Sequence, residues 1–316
     1  MKSRVGVKKL PSHVLEGARK ISRSHSSGFK NKISPDCVNE YLGVRKLNET
    51  CLEVFSGGRT IKSAYSSAIG VLFVIGLLSD LVIFFMLPGP YELEIIFGFI
   101  FGPIIFAAIG GLMYLATRNS QGSHVRINRK TGKAYYIIPG ELRLVTLDWQ
   151  EIQPMAANFV IAGGPAGHTV LNPLFLVGVD WTQSPPQEAS ISCGNIGWRD
   201  TGKSACELFS YIQHFMDYGP QGLPMPGPLP PKMSRKDTFL HGYRQWAKKF
   251  RDDLSTPKGK RWAVLWAPAK VLWLIAMVFP DSIGAYLDYT VPEVRFPEEI
   301  DLLCGFGSDS GDSQRE

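Results

Sequence analysis

Apolar residues run almost unbroken from Ala64 to Leu87 and again from Leu93 to Thr117. Each run is close to the roughly 20 residues that carry a helix across a bilayer. Only Pro88-Gly89-Pro90-Tyr91-Glu92 separates them, so the pattern predicts a transmembrane helical hairpin over 63–118, with spans at 64–87 and 93–117. Beyond it the period drops to two. His124-Val125-Arg126-Ile127-Asn128 and Ala134-Tyr135-Tyr136-Ile137-Ile138 flank the turn-forming Arg129-Lys130-Thr131-Gly132-Lys133, which predicts a β-hairpin. Leu142–Trp149, Asn158–Ala162, Thr169–Val179 and Ala189–Cys193 continue as strands. From Ser204 the spacing turns helical: Ala205, Leu208, Phe209, Ile212 and Met216 share one side, and Gly219-Pro220 stops the helix.

Five or six sequential strands closed by one amphipathic helix predict an α+β fold over 123–222, a small antiparallel sheet or partial barrel of pleckstrin-homology-like architecture. Leu223 to Lys232 carries prolines at 224, 226, 228, 230 and 231, a stiff extended linker over 223–234. After it, Phe239, Tyr243, Trp246, Phe250 and Leu254 lie on one narrow helix face, while Arg244, Lys248, Lys249 and Arg251 occupy the rest. Such a helix lies on an anionic membrane surface or covers a protein groove. The apolar stretch Trp262 to Phe279 is interrupted by Pro268 and Lys270, so 235–303 reads as interfacial or domain-packed helices in preference to a third crossing. The Ser, Asp and Gly-rich end, 304–316, reads as a disordered tail.

Charge orients the hairpin. Arg59 and Lys62 precede the first run, Arg118, Arg126, Arg129, Lys130 and Lys133 follow the second, and the connector has no Lys or Arg. Positive residues stay inside, so both termini are expected in the cytosol, with the first span acting as an uncleaved insertion signal. Residues 1–62 hold 13 Lys/Arg against 5 Asp/Glu and form a basic arm. Beside a membrane span, contact with anionic inner-leaflet lipid explains that excess better than direct nucleic-acid binding. Gly98 and Gly102, with Ser66 and Gly70, allow close helix approach, either between the two spans or between copies in a homo-oligomer. Asp80 lies near the outer end of the first span and offers no transport path with only two spans.

Candidate chemistry is sparse. Cys37, Cys51, Cys193, Cys206 and Cys304 are scattered and read as reduced thiols; the six histidines, at 13, 25, 124, 168, 214 and 241, have no metal-ligand spacing. No metal, cofactor or catalytic constellation emerges. One motif matches the phosphate-loop pattern GxxxxGK[ST], Gly197 to Ser204, with Gly197 and Gly202 shaping the loop, Lys203 aimed at phosphates and Ser204 at magnesium. The chain that follows runs into the proline tract and supplies none of the further parallel strands such a fold needs. Aromatic and Arg side chains dominate interface energetics, which makes Tyr243, Trp246, Phe250 and Arg251 the candidate partner-binding residues.

The order of basic arm, two-span hairpin, the segment Arg126 to Tyr135, the strand end Leu147-Asp148-Trp149 and the helix end Phe215-Met216-Asp217-Tyr218-Gly219-Pro220-Gln221-Gly222-Leu223-Pro224 resembles a family of Gram-negative two-span membrane proteins encoded beside type VI secretion effectors. The resemblance covers roughly 40–225. It implies a non-enzymatic immunity protein of the bacterial inner membrane that binds and neutralises a cognate protein toxin, nuclease effectors among them. A membrane-tethered scaffold or lipid-sensing module of a secretion complex remains the alternative reading, and a nucleotide-binding protein a third.

Overall fold

The computed structural model describes residues 6–11, 17–23, 38, 42–57, 71–72, 75–76, 104–105, 108–112, 115, 123–156, 159–161, 169–171, 173–194, 203–228, 233–289 and 294–306. The chain divides into a sheet unit, Met1–Thr60 with Gly122–Pro230 and Glu293–Glu316, and a helical unit, Ile61–Gln121 with Pro231–Pro292.

The sheet unit is α+β, built on a large antiparallel sheet. Its strands are β1 (Arg19–Lys20), β2 (Val44–Leu47), β3 (Cys51–Phe55), β4 (His124–Asn128), β5 (Lys133–Ile138), β6 (Arg143–Asp148), β7 (Gln153–Ala156), β10 (Leu174–Asp180) and β11 (Gln187–Cys193), while β8 (Phe159–Ile161) and β9 (Thr169–Leu171) pair separately. The spatial order is β1-β7-β10-β6-β5-β4-β3-β2, with β11 paired along β10. Asn128 Oδ1 accepts the Thr131 N–H at 3.0 Å and Gly132 takes a positive φ of 63°, so the expected turn closes β4 onto β5. The run expected as one strand from Thr169 to Val179 is two, since Pro173 has no N–H to give a ladder.

One face of the sheet is covered by α1 (Lys203–Tyr218), which buries Ala205, Leu208, Phe209, Tyr211, Ile212 and Phe215 against Val54, Val125, Ile127, Leu147, Leu176 and Ile191. At about 1.5–3 kcal/mol for each fully buried large apolar side chain, this contact is the unit's main source of stability. The two ends of the meander meet: Ser56 bridges Cys193, and the Gly194 N–H donates to Phe55 O at 2.7 Å.

The unit draws on more of the chain than 123–222. β2 and β3 come from the segment read as a basic arm, and β1 lies on β7. From the other end comes α5 (Glu298–Cys304), with Val294, Phe296, Ile300 and Cys304 packed on Cys51, Tyr135 and Ile137. Residues 307–316 of the expected tail lie outside the described residues.

In the helical unit, α2 (Arg235–Ser255) is capped by Ser234, whose Oγ accepts the Asp237 N–H at 3.1 Å. Thr256 caps α3 (Pro257–Trp273), which runs through a π-helical stretch, Leu274–Val278, into α4 (Phe279–Tyr289). The two rods are antiparallel: Phe239 near the start of α2 meets Tyr286, and Phe250 near its end meets Trp266. Pro268 does not end the helix. Lys270, expected to interrupt it, is ion-paired with Asp253 and lies 4.9 Å from the Trp266 ring, so its charge is compensated at the helix seam. The expected spans 64–87 and 93–117 lie outside the described residues apart from short helical pieces at 71–72, 75–76, 104–105, 108–112 and 115. Asp80, Gly98 and Gly102 also lie outside them.

Candidate functional site

Gly197 and Gly202 of the phosphate-loop match lie outside the described residues, whereas Lys203 and Ser204 open α1. Lys203 is exposed, with its ammonium 3.8 Å from Glu207 one turn on; Ser204 is buried under the helix start. β11, which leads into the motif, pairs antiparallel with β10, and every named strand pair among the described residues is antiparallel. A phosphate loop instead sits after a strand of a parallel sheet, where the crossover helix aims its N-terminus at the nucleotide.

The aromatic face of α2 is occupied. Trp246 stacks on Phe250 at 4.9 Å and donates its indole N–H to Lys270 O at 3.1 Å; Phe250 meets Trp266 edge-on at 5.2 Å. Tyr243 stands beside Phe239 at 5.5 Å; burial raises its hydroxyl pKa, and the hydrogen bond with Ser282 offsets only part of that rise. Arg251 is exposed, and its Nε donates back to Ala247 O at 3.4 Å. The structure therefore brings Tyr243, Trp246 and Phe250 together as the seam of an antiparallel helix pair and leaves Arg251 on the outer surface with Lys248 and Lys249. Near the open end of the pair, Phe239, Phe279, Ile283 and Tyr286 line a shallow, wholly apolar hollow of about 460 Å³.

What α2 does not cover is bare. Pro257–Tyr286 is, among the described residues, the one helix long and apolar enough to cross a membrane, and none of its apolar window is buried. Half-buried positions recur at Ala263, Trp266, Ala267, Lys270, Leu274 and Val278, the stripe that meets α2. Between Trp262 and Met277 the rest of the circumference is exposed and apolar, with Val264 85%, Leu265 68% and Leu272 66% accessible. In water such a surface is a standing invitation to associate.

A fourth cluster went unread in the sequence. Arg126, on β4, is buried with Glu53 of β3, its Nε donating to Glu53 Oε2 at 2.8 Å, and Arg45 lies 3.2 Å from the other Glu53 oxygen. Its Nη1 ion-pairs with Asp301 of α5, and its guanidinium lies between the rings of Phe296 at 4.1 Å and Phe306 at 5.1 Å. Burial works against the Arg126 charge, yet the hydrogen bonds to Asp301 and Glu53 outweigh it and hold the pKa above its ordinary value. Asn128 Nδ2 donates to Leu303 O at 2.7 Å and Asn48 Nδ2 to Cys304 O at 2.9 Å, closing the last carbonyls of α5. Beside them burial drives the Cys51 thiol pKa up, while the hydrogen bond from Cys51 draws that of Cys304 down. The signal was present: β5 is apolar on both faces, with Tyr135 and Ile137 beside Ala134 and Ile138, which marks a strand covered on both sides.

Among the described residues no group of three or more His, Cys, Asp or Glu could hold a metal ion. No family model, curated protein or solved structure matches the chain.

Proposed function

We propose that this chain is a non-enzymatic, membrane-anchored binding protein of the bacterial inner membrane, with a hairpin at 64–87 and 93–117 holding the sheet unit on the cytosolic face. The observation that carries the anchoring is where the chain leaves and re-enters the sheet. Phe55 and His124 are register partners on adjacent strands, and the Ser56 N–H reaches Ser123 O at 3.4 Å. Everything between them departs from and returns to one point, a geometry that suits a two-span insertion with both ends on one membrane side. Exposed Val71, Ile75, Ile104, Ile105, Leu112 and Leu115 agree with lipid-facing helices.

The resemblance to proteins encoded beside type VI effectors makes the bound partner a toxin delivered by sibling cells. Neither an oligomer through Gly98 and Gly102 nor a bound cofactor is needed. The test is protection. Cells deleted for this chain should be killed by siblings armed with its cognate effector and rescued by the chain supplied in trans. Full resistance of the deletion strain overturns the immunity role, and co-purification of several secretion components in place of one toxin favours the scaffold.

A further inference from the structure

The helical unit poses a topological problem whose solution defines a second contact with the membrane. The chain leaves the sheet unit after Pro230 and rejoins it at Glu293, and α5 then pairs with β4 of that same sheet. The segment between therefore begins and ends on the sheet's side of any bilayer. If the apolar rod Pro257–Tyr286 crossed, α2 would have to cross beside it, because the two are antiparallel along their length. α2 cannot. It carries nine charged residues in 21: Arg235, Lys236, Asp237, Arg244, Lys248, Lys249, Arg251, Asp252 and Asp253. Each of these at mid-bilayer costs about 2.5–3.5 kcal/mol on insertion scales.

We propose that α2 with α3 and α4 forms a monotopic hairpin lying in the plane of the membrane on the sheet's side. The exposed apolar circumference of Trp262–Met277 enters the acyl region, and α2 rides above it at headgroup level. The chemistry of the partner follows from the turn. Lys248, Lys249, Arg251, Lys258, Lys260 and Arg261 cluster around it against Asp252 and Asp253, and they match anionic phosphate headgroups. Trp262 and Trp273, both more than half exposed on the rod, occupy the depth where indoles settle between acyl chains and headgroups. Lys270, the cation within the rod, is held by Asp253 of α2 on the headgroup side.

This inference rests on the anchoring reading for the choice of membrane side, so the experiment tests the two separately. Lys258→Cys and Glu92→Cys variants of the full chain are labelled with a membrane-impermeant maleimide in right-side-out and inside-out inner-membrane vesicles, with adducts located by peptide mapping. Exposed Cys206 of α1 reports the sheet's side. Labelling at 258 from the same side as Cys206 supports the in-plane hairpin, whatever the result at 92. Labelling at 258 from the opposite side, from both sides or from neither overturns it. Labelling at 92 from the side of Cys206 instead overturns the two-span anchor alone. In liposomes of pure phosphatidylcholine, position 258 should label faster than in liposomes containing phosphatidylglycerol, and equal rates overturn the anionic-headgroup contact.

Discussion

At the scale of single residues, the most consequential side chain is Arg126, and it does structural work. Glu53 is 1% exposed, and its charge is tolerable because Arg126 and Arg45 both face it. Arg126→Met keeps most of the volume between Phe296 and Phe306 but strands that carboxylate, so stability should fall by about 3–5 kcal/mol, read by chemical denaturation; Glu53→Gln in the same chain should recover part of the loss. Lys203 sits at the opposite extreme, exposed, with its ammonium 3.8 Å from Glu207. Lys203→Ala should change stability by no more than about 0.5 kcal/mol and leave ATP binding, measured by calorimetry, the same as in the parent chain. Both residues show what a pattern of letters can carry. The alternation His124, Arg126, Asn128 reads as the wet face of a strand, yet all five residues of β4 are buried, because α5 returns to cover that face from some 170 positions later. A period-two pattern records which residues share a face and is silent on what arrives to cover it. Gly197 to Ser204 is the converse case: the letters are local, whereas the parallel sheet that surrounds a phosphate loop is a property of a whole unit, and the named strand pairs among the described residues are antiparallel.

At the scale of elements, strong periodicity was reliable. The β4–β5 hairpin and α1 lie where alternation and helical spacing put them, because local turn chemistry and a broad apolar face decide both. β7 went unread: Gln153-Pro154-Met155-Ala156 lacks β-branched residues and is a strand through its pairing with β10. The aromatic face of α2 was legible, but its use was not, since a stripe of rings serves a partner and an adjacent helix equally well. Trp246→Ala removes the stack on Phe250 and the hydrogen bond to Lys270 O, so the helical unit should lose about 1–3 kcal/mol, less than the 3–5 of a fully buried Trp, visible as a lower Tm by circular dichroism in detergent. Arg251→Ala should leave that Tm in place. Where the meander's ends meet, Gly194 has a φ of +78°, and an added Cβ would collide with Leu208 Cδ2 and come within 2.9 Å of Leu42 O. Gly194→Ala should therefore cost more than about 1 kcal/mol, and a Leu208→Ala background should relieve only the side-chain part of it.

At the scale of the whole molecule, chain order and spatial order part company, and this is what the sequence alone conveys least. The sheet unit is assembled from three separated stretches and the helical unit from the two stretches between them. Reading left to right suggests arm, anchor, domain, linker and tail, whereas the fold gathers arm, domain and tail into one body and leaves the hydrophobic segments as two insertions. That arrangement has a direct consequence. If each insertion leaves and re-enters a sheet that is complete without it, both should be removable. Phe55 and His124 are already register partners, so joining Ser56 to Ser123 through Asn-Gly in place of Gly57–Gly122 asks only for a tight β-turn between strands in place. Replacing Pro231–Pro292 by a flexible Gly/Ser linker of about 20 residues, with a root-mean-square reach of roughly 25 Å, leaves α5 tethered for its return to β4. The doubly excised chain should be recovered from the cytosol without detergent and unfold in one cooperative transition with a β-rich circular dichroism spectrum. Deleting 294–306 from it should destroy that transition, because Phe296 and Ile300 would no longer cover Tyr135 and Ile137, and Arg126 would lose Asp301. A doubly excised chain that still sediments with membranes would mean that the sheet unit itself carries the lipid contact assigned above to the two insertions.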